Sequence, residues 1–466
     1  RLRHDVDAPM ARFRQGFDLD QALLLPPSLR DWLPEDHLAW FVIDAVSKLN
    51  VDALLDRYRM SGKGELPYDP RMMLGLLIYA YATGTVSSRK IAAKLETDVA
   101  YRIIARGQRP DHRSICRFRS THLDLFTEFF KQVLCLAAEL SMVRFGTIAI
   151  DGTKLRANAS KHKAMSYERM LAKEEELRRE IEAITKRAAG EDQTEDVAFG
   201  PDFRGDELPQ ELARREARLE TIQAAKERLE RRKAELAAEA ERERQEQLAA
   251  KGKDPSGKRR GRKRQSDPAR PKAKDQENFT DPDSRIMKSQ DGYQQSFNAQ
   301  AAVDAESRLI VATGLSNCAA DSAELQPMIA AAEANRAEVV AAVEDAPVAP
   351  CIEAVLADSG YRCEASFAAL EEAGIDAYVA IGREGKEPPK IDREKTPATQ
   401  RMSEKMQCGG WERYRSRKTI VEPVFGWVKR VLGFHSFSLR GLEKVRGEWN
   451  LVCLALNLRR MCAMRA

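Results

Sequence analysis

The chain has 466 residues, more than one typical domain, so its length predicts two or three units with a sizeable core. The net charge is only +5, but residues 251–274 carry eleven Lys/Arg and two Asp, and residues 411–466 carry twelve Lys/Arg and four Glu. Such blocks favour a polyanion as partner, with ordinary solvated surface as the alternative.

Eight cysteines are scattered along the chain without a CxxC motif or Cys/His pairing. Their spacing argues against a zinc site or a disulfide framework and predicts a cytoplasmic protein in a reducing environment. No stretch approaches the roughly 18 apolar residues of a membrane span, and no signal peptide is visible, so we expect no membrane partner.

Residues 20 to about 140 have a helical pattern. Within it, 83–122 predicts short helices separated by tight turns, with helix starts at Ser87-Ser88, Thr97 or Asp98, and Pro110-Asp111. This is a helix-turn-helix-like spacing. The third helix would carry a basic face formed by Arg109, His112, Arg113, Arg117 and Arg119. Helical bundles that do not touch DNA share this pattern.

A different pattern begins at 145–150, a short apolar run that predicts a buried strand ending at Asp151-Gly152. Lys154 and Arg156 follow and are able to contact phosphate. An aspartate at a strand end is more often a turn former than a catalyst, so this segment alone does not identify a site.

Residues 164–250 are rich in Glu, Arg, Lys and Ala, with apolar residues at helical spacing. They predict two long helices that form an antiparallel hairpin or a coiled coil that binds a partner. Residues 251–284 have few apolar side chains and predict a linker. Its basic run could follow a DNA backbone; the residues concerned are Arg259, Arg260, Arg262, Lys263 and Arg264.

Strands and helices then alternate to the end of the chain, which predicts a mixed α/β layer. The expected strands are 293–305 and 308–316, paired as a hairpin, and then 354–361 and 376–382. The expected helices are 322–335, 364–373, 419–432 and 441–463, with a loop over 383–410.

Glu422 is a single carboxylate within a basic and aromatic segment, 411–434. Lys429 lies seven residues later, two helical turns on and therefore on the same face. Pro423 suits the first turn of a helix, so we expect the helix to begin close to Glu422. The alternative role is structural, because Thr419 and Glu422 fit a capping box.

Three carboxylates stand out by position: Asp151 and Asp358, each at the end of a predicted strand, and Glu422. Strand ends at one edge of an open α/β sheet are where ligand sites form. Converging carboxylates without a Cys/His set suit hard cations, here two Mg²⁺ or Mn²⁺ ions shared with substrate phosphates. Two such ions about 3.5–4 Å apart promote in-line displacement at phosphorus.

The segments AIDGTKLRANAS, TDPDSR, DGYQQSFNAQAAVD, LADSGY and IVEPVFGWVKR resemble the DDE transposases of bacterial insertion sequences, with the IS1182 group within the IS4/IS5-like assemblage as the nearest match. The resemblance extends over nearly the whole chain. It implies an RNase H-like catalytic domain in which Asp151, Asp358 and Glu422 bind the metal ions. That fold places the three acids on its first strand, its fourth strand and a following helix.

The IS4-like signature Y-x2-R-x3-E-x6-K fits with one departure. Tyr414 and Arg417 keep their spacing, as do Glu422 and Lys429, but four residues rather than three separate Arg417 from Glu422, and Lys418 occupies the expected arginine position. By resemblance, these basic and aromatic residues would bind DNA, with Lys429 at the phosphate next to the cleavage point.

The resemblance implies an all-α DNA-binding or dimerisation domain over 1–143, a catalytic domain over 144–163 and 285–466, and a helical insertion with a basic linker over 164–284. The expected function is cleavage at terminal inverted repeats and joining of the 3′-OH ends to target DNA. The expected partners are double-stranded DNA and further copies of the chain, in the bacterial cytoplasm at the nucleoid. The alternatives are a catalytically silent, domesticated DNA-binding regulator and a nuclease without strand transfer.

Overall fold

The computed structural model describes residues 18, 28–58, 66–199, 210–250, 267–289, 292–382 and 390–465. The chain forms two compact units, one made of Arg1–Asn158 with Met287–Ala466 and the other of Ala159–Ile286. The basic residues predicted at 259–264 lie outside the described residues. Within the described ranges, no helix is long and apolar enough to cross a membrane.

The N-terminal part of the first unit is helical, as predicted. Its helices are α1 (Leu38–Lys48), α2 (Asp52–Leu55), α3 (Pro70–Ala82), α4 (Ser88–Thr97), α5 (Val99–Ile104), α6 (His112–Thr121) and α7 (Phe126–Glu139). The Asp98 carboxylate accepts the Ala100 N–H of α5 at 3.0 Å, and Asp111 accepts the Ser114 N–H of α6 at 2.8 Å. Two predicted helix starts are therefore genuine N-caps.

The second unit contains two long antiparallel helices with a short sheet at their base. Its elements are β2 (Ala164–Ser166), α8 (Tyr167–Phe199), α9 (Gln210–Ala250) and β3 (Gln276–Asn278), and β2 pairs with β3. Met170 and Leu177 of α8 pack against Ile222 and Ala225 of α9. This compact unit spans Ala159–Ile286; the domain bounds that we predicted from the sequence, 164–284, stay a prediction.

Strand β3 lies in a segment that we predicted to be a linker. Its Glu277 side chain is fully buried and accepts hydrogen bonds from Arg228 at 2.8 Å and Arg232 at 3.4 Å. A buried carboxylate held by two arginines is compatible with a polar sequence, because the paired charges take the place of apolar contacts. Sequence polarity alone therefore led us to the wrong structure for these residues.

The first unit also contains a sheet, whose strands follow helices α1 to α7 in the sequence. Its strands are β1 (Thr147–Arg156), β4 (Arg285–Ser289), β5 (Gly292–Asp304), β6 (Ile310–Ser316), β7 (Ala354–Ala357) and β8 (Asp376–Val379). The order is β4-β5-β1-β7-β8, and β6 also pairs with β5. Strand β1 is antiparallel to β5 and parallel to β7, β5 is antiparallel to β6, and β7 is parallel to β8.

The unit also contains the five helices α10 (Leu325–Ala342), α11 (Glu364–Glu372), α12 (Pro397–Lys405), α13 (Trp411–Gly426) and α14 (Leu442–Arg465). Helix α14 joins the N-terminal helices to the sheet. Its Glu448 accepts the Tyr81 hydroxyl of α3 at 3.0 Å, and its Trp449 indole N–H donates to the Gln300 carbonyl of β5 at 3.0 Å. Residues before 143 and the sheet therefore belong to one compact unit.

Arg119, which we expected on the basic face of α6, is buried instead. Its guanidinium donates to the Tyr81 hydroxyl at 2.9 Å and to the Val86 carbonyl at 2.8 Å. A charge-assisted hydrogen bond to a buried network stabilises an arginine away from water. Arg113 and Arg117 remain on the exposed surface of α6.

Strand β1 is longer than we predicted, so Asp151 lies in its middle and not at its end. Gly152, expected to end the strand, pairs with Gln300 of β5. A Cβ atom at this glycine would lie 2.3 Å from Gln300 Nε2, so the glycine makes room for that side chain. The Asp-Gly pair that usually marks a turn here marks a close approach between strands.

The helix that carries Glu422 begins earlier than we predicted. Helix α13 starts at Trp411 and is separated from α12 by a kink within Met406–Gly410, where Cys408 and Gly409 leave the helical conformation. Because α12 spans Pro397–Lys405, part of the predicted loop is helical. Pro423 lies inside α13 and has no N–H for the Thr419 carbonyl, which accepts the Arg308 Nε–H at 3.0 Å instead. The capping box is therefore excluded, because Glu422 is not in a first turn.

Candidate active site

Two of the predicted acids lie side by side on neighbouring parallel strands. Ile150 of β1 pairs with Ala357 of β7, and Asp151 and Asp358 each come next in the chain. Neighbouring strands are about 4.8 Å apart, so the two residues share one edge of the strand pair. The Asp358 carboxylate accepts the Gly360 N–H at 2.8 Å, which orients it at the start of the turn Ser359–Tyr361.

Asp151 is a carboxylate in a partly desolvated position, with 21% of its side chain exposed. Burial raises the pKa of Asp151, the Arg417 guanidinium opposes that rise, and the charge of Asp358 adds to it. The Asp358 contribution indicates that the two acids are close enough to repel each other. A site of this kind stabilises a cation.

Arg417 supplies that positive charge. Its Nη1 donates to Asp151 Oδ2 at 2.8 Å, and its Nη2 lies 3.9 Å from Glu422 Oε1. Only 9% of the Arg417 side chain is exposed, and its Nε is buried without a hydrogen-bond partner. The Arg417 guanidinium therefore bonds to Asp151 of β1 and lies near Glu422 of α13, whose side chain is 55% exposed.

Helix α13 also shows which residues of the Y-x2-R-x3-E-x6-K pattern face this site. Tyr414 and Arg417 are buried on the same side of the helix, with the Arg417 guanidinium 5.7 Å from the centre of the Tyr414 ring. Lys418, next to Arg417, points to solvent. Lys429 is half-buried in the π-helical turn Trp427–Val431 that follows α13.

The remaining predicted DNA-binding residues are dispersed. Lys154 of β1 donates to the Asp321 carboxylate at 2.9 and 3.1 Å, with 17% of its side chain exposed. Arg156 is exposed at the end of β1, beside Ser436. Arg113 and Arg117 lie on α6, away from the three acids in sequence and on a different element.

Asp321 was not among the predicted site residues. It lies between β6 and α10 and accepts hydrogen bonds from Asn298 Nδ2 at 2.6 Å and Gln300 Nε2 at 2.8 Å, in addition to Lys154. A Cβ atom at Gly360, in the turn after Asp358, would be 3.3 Å from Asp321 Oδ2. A fourth carboxylate therefore adjoins the site, with its charge compensated by lysine.

The signal for this cluster is present in β5. Asn298 and Gln300 are polar residues that alternate with the apolar, fully buried residues Phe297, Ala299 and Ala301 in the buried part of the strand. Buried amides require partners, so their occurrence in such a strand indicates a polar network. The sequence cannot name Asp321 as the partner, because a separate loop supplies it.

The residues fit divalent cations in their chemistry. All three predicted ligands are carboxylates, the donor type that Mg²⁺ and Mn²⁺ prefer, and a guanidinium occupies the position between two of them. As the side chains stand, the described residues contain no group of three or more His, Cys, Asp or Glu positioned to hold a metal ion. Arg417 must therefore move aside before Asp151 and Glu422 can share one.

Comparison with known families gives two matches. The model described as "Transposase DDE domain" matches residues 264–458, and the one described as "Transposase domain (DUF772)" matches residues 27–121. The combination is typical of the IS1182 family. Residues 264–458 are therefore similar to the DDE domain of transposases. No curated protein and no solved structure matches it.

The DDE match includes two of the three predicted acids and leaves out the third. The DDE match contains Asp358, Glu422 and Lys429, but it begins after β1 and so does not include Asp151. For Asp151, the contact with Arg417 and the pairing of β1 with β7 are the available support. The other match covers α1 to α6, which include the helices with the predicted DNA-binding spacing.

Proposed function

We propose that this protein is a transposase that binds the terminal inverted repeats of an insertion sequence, cleaves DNA at the ends and joins the 3′-OH ends to target DNA. The observation that carries the proposal is the Arg417 guanidinium between Asp151 and Glu422, with Asp358 beside Asp151. In this proposal, Asp151, Asp358 and Glu422 converge on one place once Arg417 moves aside. A guanidinium there marks a position that favours positive charge.

The fold proposed for this site is RNase H-like. Strand β1 has an antiparallel hairpin, β5 and β6, on one side and the parallel strands β7 and β8 on the other. Asp151 is on the first strand, Asp358 follows β7, and Glu422 is on a later helix, as the family resemblance leads us to expect. In this proposal, 159–286 is an insertion into the catalytic domain, since the first unit resumes after it.

Asp151, Asp358 and Glu422 would hold two Mg²⁺ or Mn²⁺ ions. Bound there, the ions would activate a water or a 3′-hydroxyl and stabilise the leaving oxygen of an in-line displacement. Arg417, once released from Asp151, is positioned to contact a DNA phosphate with the bidentate geometry that guanidinium groups allow. Lys429, seven residues after Glu422, would bind the phosphate next to the cleavage point.

DNA binding would extend beyond the acids. Arg113 and Arg117 are exposed on α6, in the region with helix-turn-helix-like spacing, and would contact transposon ends. Tyr414, Lys418, Lys154 and Arg156 are the remaining predicted contacts, although Lys154 would have to leave Asp321. Joining two ends requires at least two protomers in the reaction, in the bacterial cytoplasm at the nucleoid.

A strand-transfer assay tests this function against its alternatives. Labelled transposon-end DNA is incubated with the chain, Mg²⁺ or Mn²⁺ and an unlabelled target plasmid, and binding is measured in parallel. Joined products that require the metal would support a transposase. Cleavage without joining would indicate a nuclease, and tight binding with neither product would indicate a catalytically silent regulator.

A further inference from the structure

Gln300 contacts both of the segments that carry the strand acids. It lies in the middle of β5, fully buried, and pairs with Gly152, the residue after Asp151. Its Oε1 accepts the hydroxyl of Tyr361, which lies three residues after Asp358. One amide side chain therefore spans from β1 to the turn that follows β7.

Asp321 fixes the orientation of this amide. A carboxylate has no N–H to donate, so the Gln300 nitrogen must face Asp321, at 2.8 Å, and the oxygen must face Tyr361. Asp321 is itself held by Lys154 at 2.9 Å and Asn298 at 2.6 Å. Asp321 thus sets the orientation of the Gln300 amide, and Lys154 and Asn298 hold Asp321 in place.

Tyr361 transmits this constraint to Asp358. Its side chain is fully buried, and burial raises its pKa well above the ordinary value, with nearby aspartates adding to the rise, so the hydroxyl stays protonated and donates. It ends the one-turn helix Ser359–Tyr361, whose Gly360 N–H donates to Asp358 Oδ1 at 2.8 Å. A displacement of Tyr361 would therefore rotate the Asp358 carboxylate.

On the β1 side, the constraint comes from steric contact. Gly152 leaves space that a Cβ atom would fill at 2.3 Å from Gln300 Nε2 and 2.9 Å from its Cδ. The Gln300 side chain therefore rests on the β1 backbone next to Asp151, with no free space between them. Asp151 is held at the same time by Arg417 at 2.8 Å.

We propose that Gln300, oriented by Asp321, is a positioning residue that sets the separation of Asp151 and Asp358 through Tyr361. The inference rests on the proposed two-metal function, because two ions about 3.5–4 Å apart require ligands at a defined spacing. None of Gln300, Asp321 and Tyr361 is assigned as a metal ligand. They act through the acids, as residues around a metal site commonly do.

A structural role alone makes a different prediction. If the network only stabilises the sheet, removal of the Tyr361 hydroxyl would lower the melting temperature and leave metal affinity unchanged. If it positions Asp358, metal affinity falls as well. A metal titration therefore distinguishes the stabilising role from the positioning role, and it does not depend on catalysis.

The test is a Mn²⁺ titration of the full chain without DNA, read as the rise in melting temperature. For Tyr361→Phe we expect the Mn²⁺ concentration that gives half of the stabilisation to increase roughly 3- to 10-fold, the factor that corresponds to one hydrogen bond. Asp321→Asn, which removes the charge that orients Gln300, should shift it in the same direction and serves as the second variant. Tyr378→Phe is the matched control, because its hydroxyl bonds to Asp376 at 2.8 Å, away from the acids.

The outcomes separate this inference from the proposed function. If Asp358→Asn and Glu422→Gln abolish the Mn²⁺ response and Tyr361→Phe and Asp321→Asn titrate like wild type, the positioning role is wrong and the metal site stands. If Asp358→Asn and Glu422→Gln titrate like wild type, the proposed metal site is wrong and the positioning role is lost with it. A shift in Tyr378→Phe equal to that in Tyr361→Phe would also overturn the positioning role.

Discussion

Replacement of Arg417 by glutamine should destabilise the chain in a pH-dependent way. In the wild type, Arg417 donates to Asp151 at 2.8 Å, and the exposed fractions of the two side chains are 9% and 21%. The glutamine variant leaves Asp151 ionised, partly desolvated and next to Asp358. The pKa of Asp151 is already raised with Arg417 present, and the Arg417 guanidinium opposes that rise. Loss of the guanidinium should therefore raise the pKa of Asp151 further.

The size of the effect follows from the burial of the pair. Removal of one partner of a fully buried ion pair costs about 3–5 kcal/mol, and the residual exposure of Asp151 reduces this to about 2–3 kcal/mol. With an unfolding entropy of about 2.1 cal/mol/K per residue, a unit as large as this one changes its melting temperature by about 1.5 °C per kcal/mol. We therefore expect a decrease of about 3–4 °C near neutral pH.

The pH dependence gives the stronger test. A carboxyl whose folded-state pKa is raised above the unfolded value opposes folding when ionised, and this opposition disappears as the pH falls through the folded-state pKa. The deficit of Arg417→Gln relative to wild type should therefore be largest at about pH 8 and smaller at about pH 5. Asp151→Asn combined with Arg417→Gln should recover most of it, because the double variant has no unpaired carboxylate at residue 151.

Thermal unfolding at matched scan rates across this pH range is the assay. The control is Lys418→Gln, which removes one positive charge from the adjacent, solvent-exposed position and should change the melting temperature by less than about 1 °C. A deficit for Arg417→Gln that equals the Lys418→Gln value, or that grows toward low pH, would refute the assignment of Arg417 as the counter-charge of Asp151.

Two further substitutions test the packing around the site. Gly152→Ala places a Cβ atom 2.3 Å from Gln300 Nε2 and should cost about 1–3 kcal/mol in a chemical-denaturation experiment, whereas Gly426→Ala, with nothing within 4 Å, should be neutral or slightly stabilising. Equal effects of the two would contradict the close approach at β1. Glu448→Gln removes the charge of a fully buried carboxylate that accepts hydrogen bonds from Tyr81, Ser438 and Leu439, and it should lower the free energy of unfolding by about 2–3 kcal/mol; a change below about 0.5 kcal/mol would mean that these charge-assisted hydrogen bonds do not stabilise the packing of α14.

The sequence predicted most of the elements of the first unit, because their periodicity and turn residues are local properties. The hairpin of β5 and β6 and the short helices before 122 follow from such patterns. Our prediction of the end of β1 was wrong because an Asp-Gly pair occurs both in turns and where two strands approach closely. The residue that decides between the two, Gln300, is far away in the sequence. The helix start predicted from Pro423 was wrong for the same reason. Arg308, far away in the sequence, donates to the Thr419 carbonyl that the proline leaves without its helical hydrogen bond.

The candidate site was predictable only in part for a related reason. Acids at strand ends and on a helix can be found from their positions, but their counter-charge cannot. Arg417 and Lys418 are adjacent and both carry a positive charge, and only the course of α13 from Trp411 decides that Arg417 faces Asp151. Asp321 comes from a loop without a motif, and only its contacts with β1 and β5 reveal it.

The most direct test of the central claim is DNA cleavage by Glu422→Gln. Labelled transposon-end DNA with Mn²⁺ is compared between wild type, Glu422→Gln and Glu412→Gln, a control that removes an exposed acid from the same helix. We predict cleavage by wild type and Glu412→Gln, no cleavage by Glu422→Gln, and similar end binding by all three. Cleavage by Glu422→Gln at the wild-type rate would contradict the claim that Asp151, Asp358 and Glu422 form the catalytic metal site.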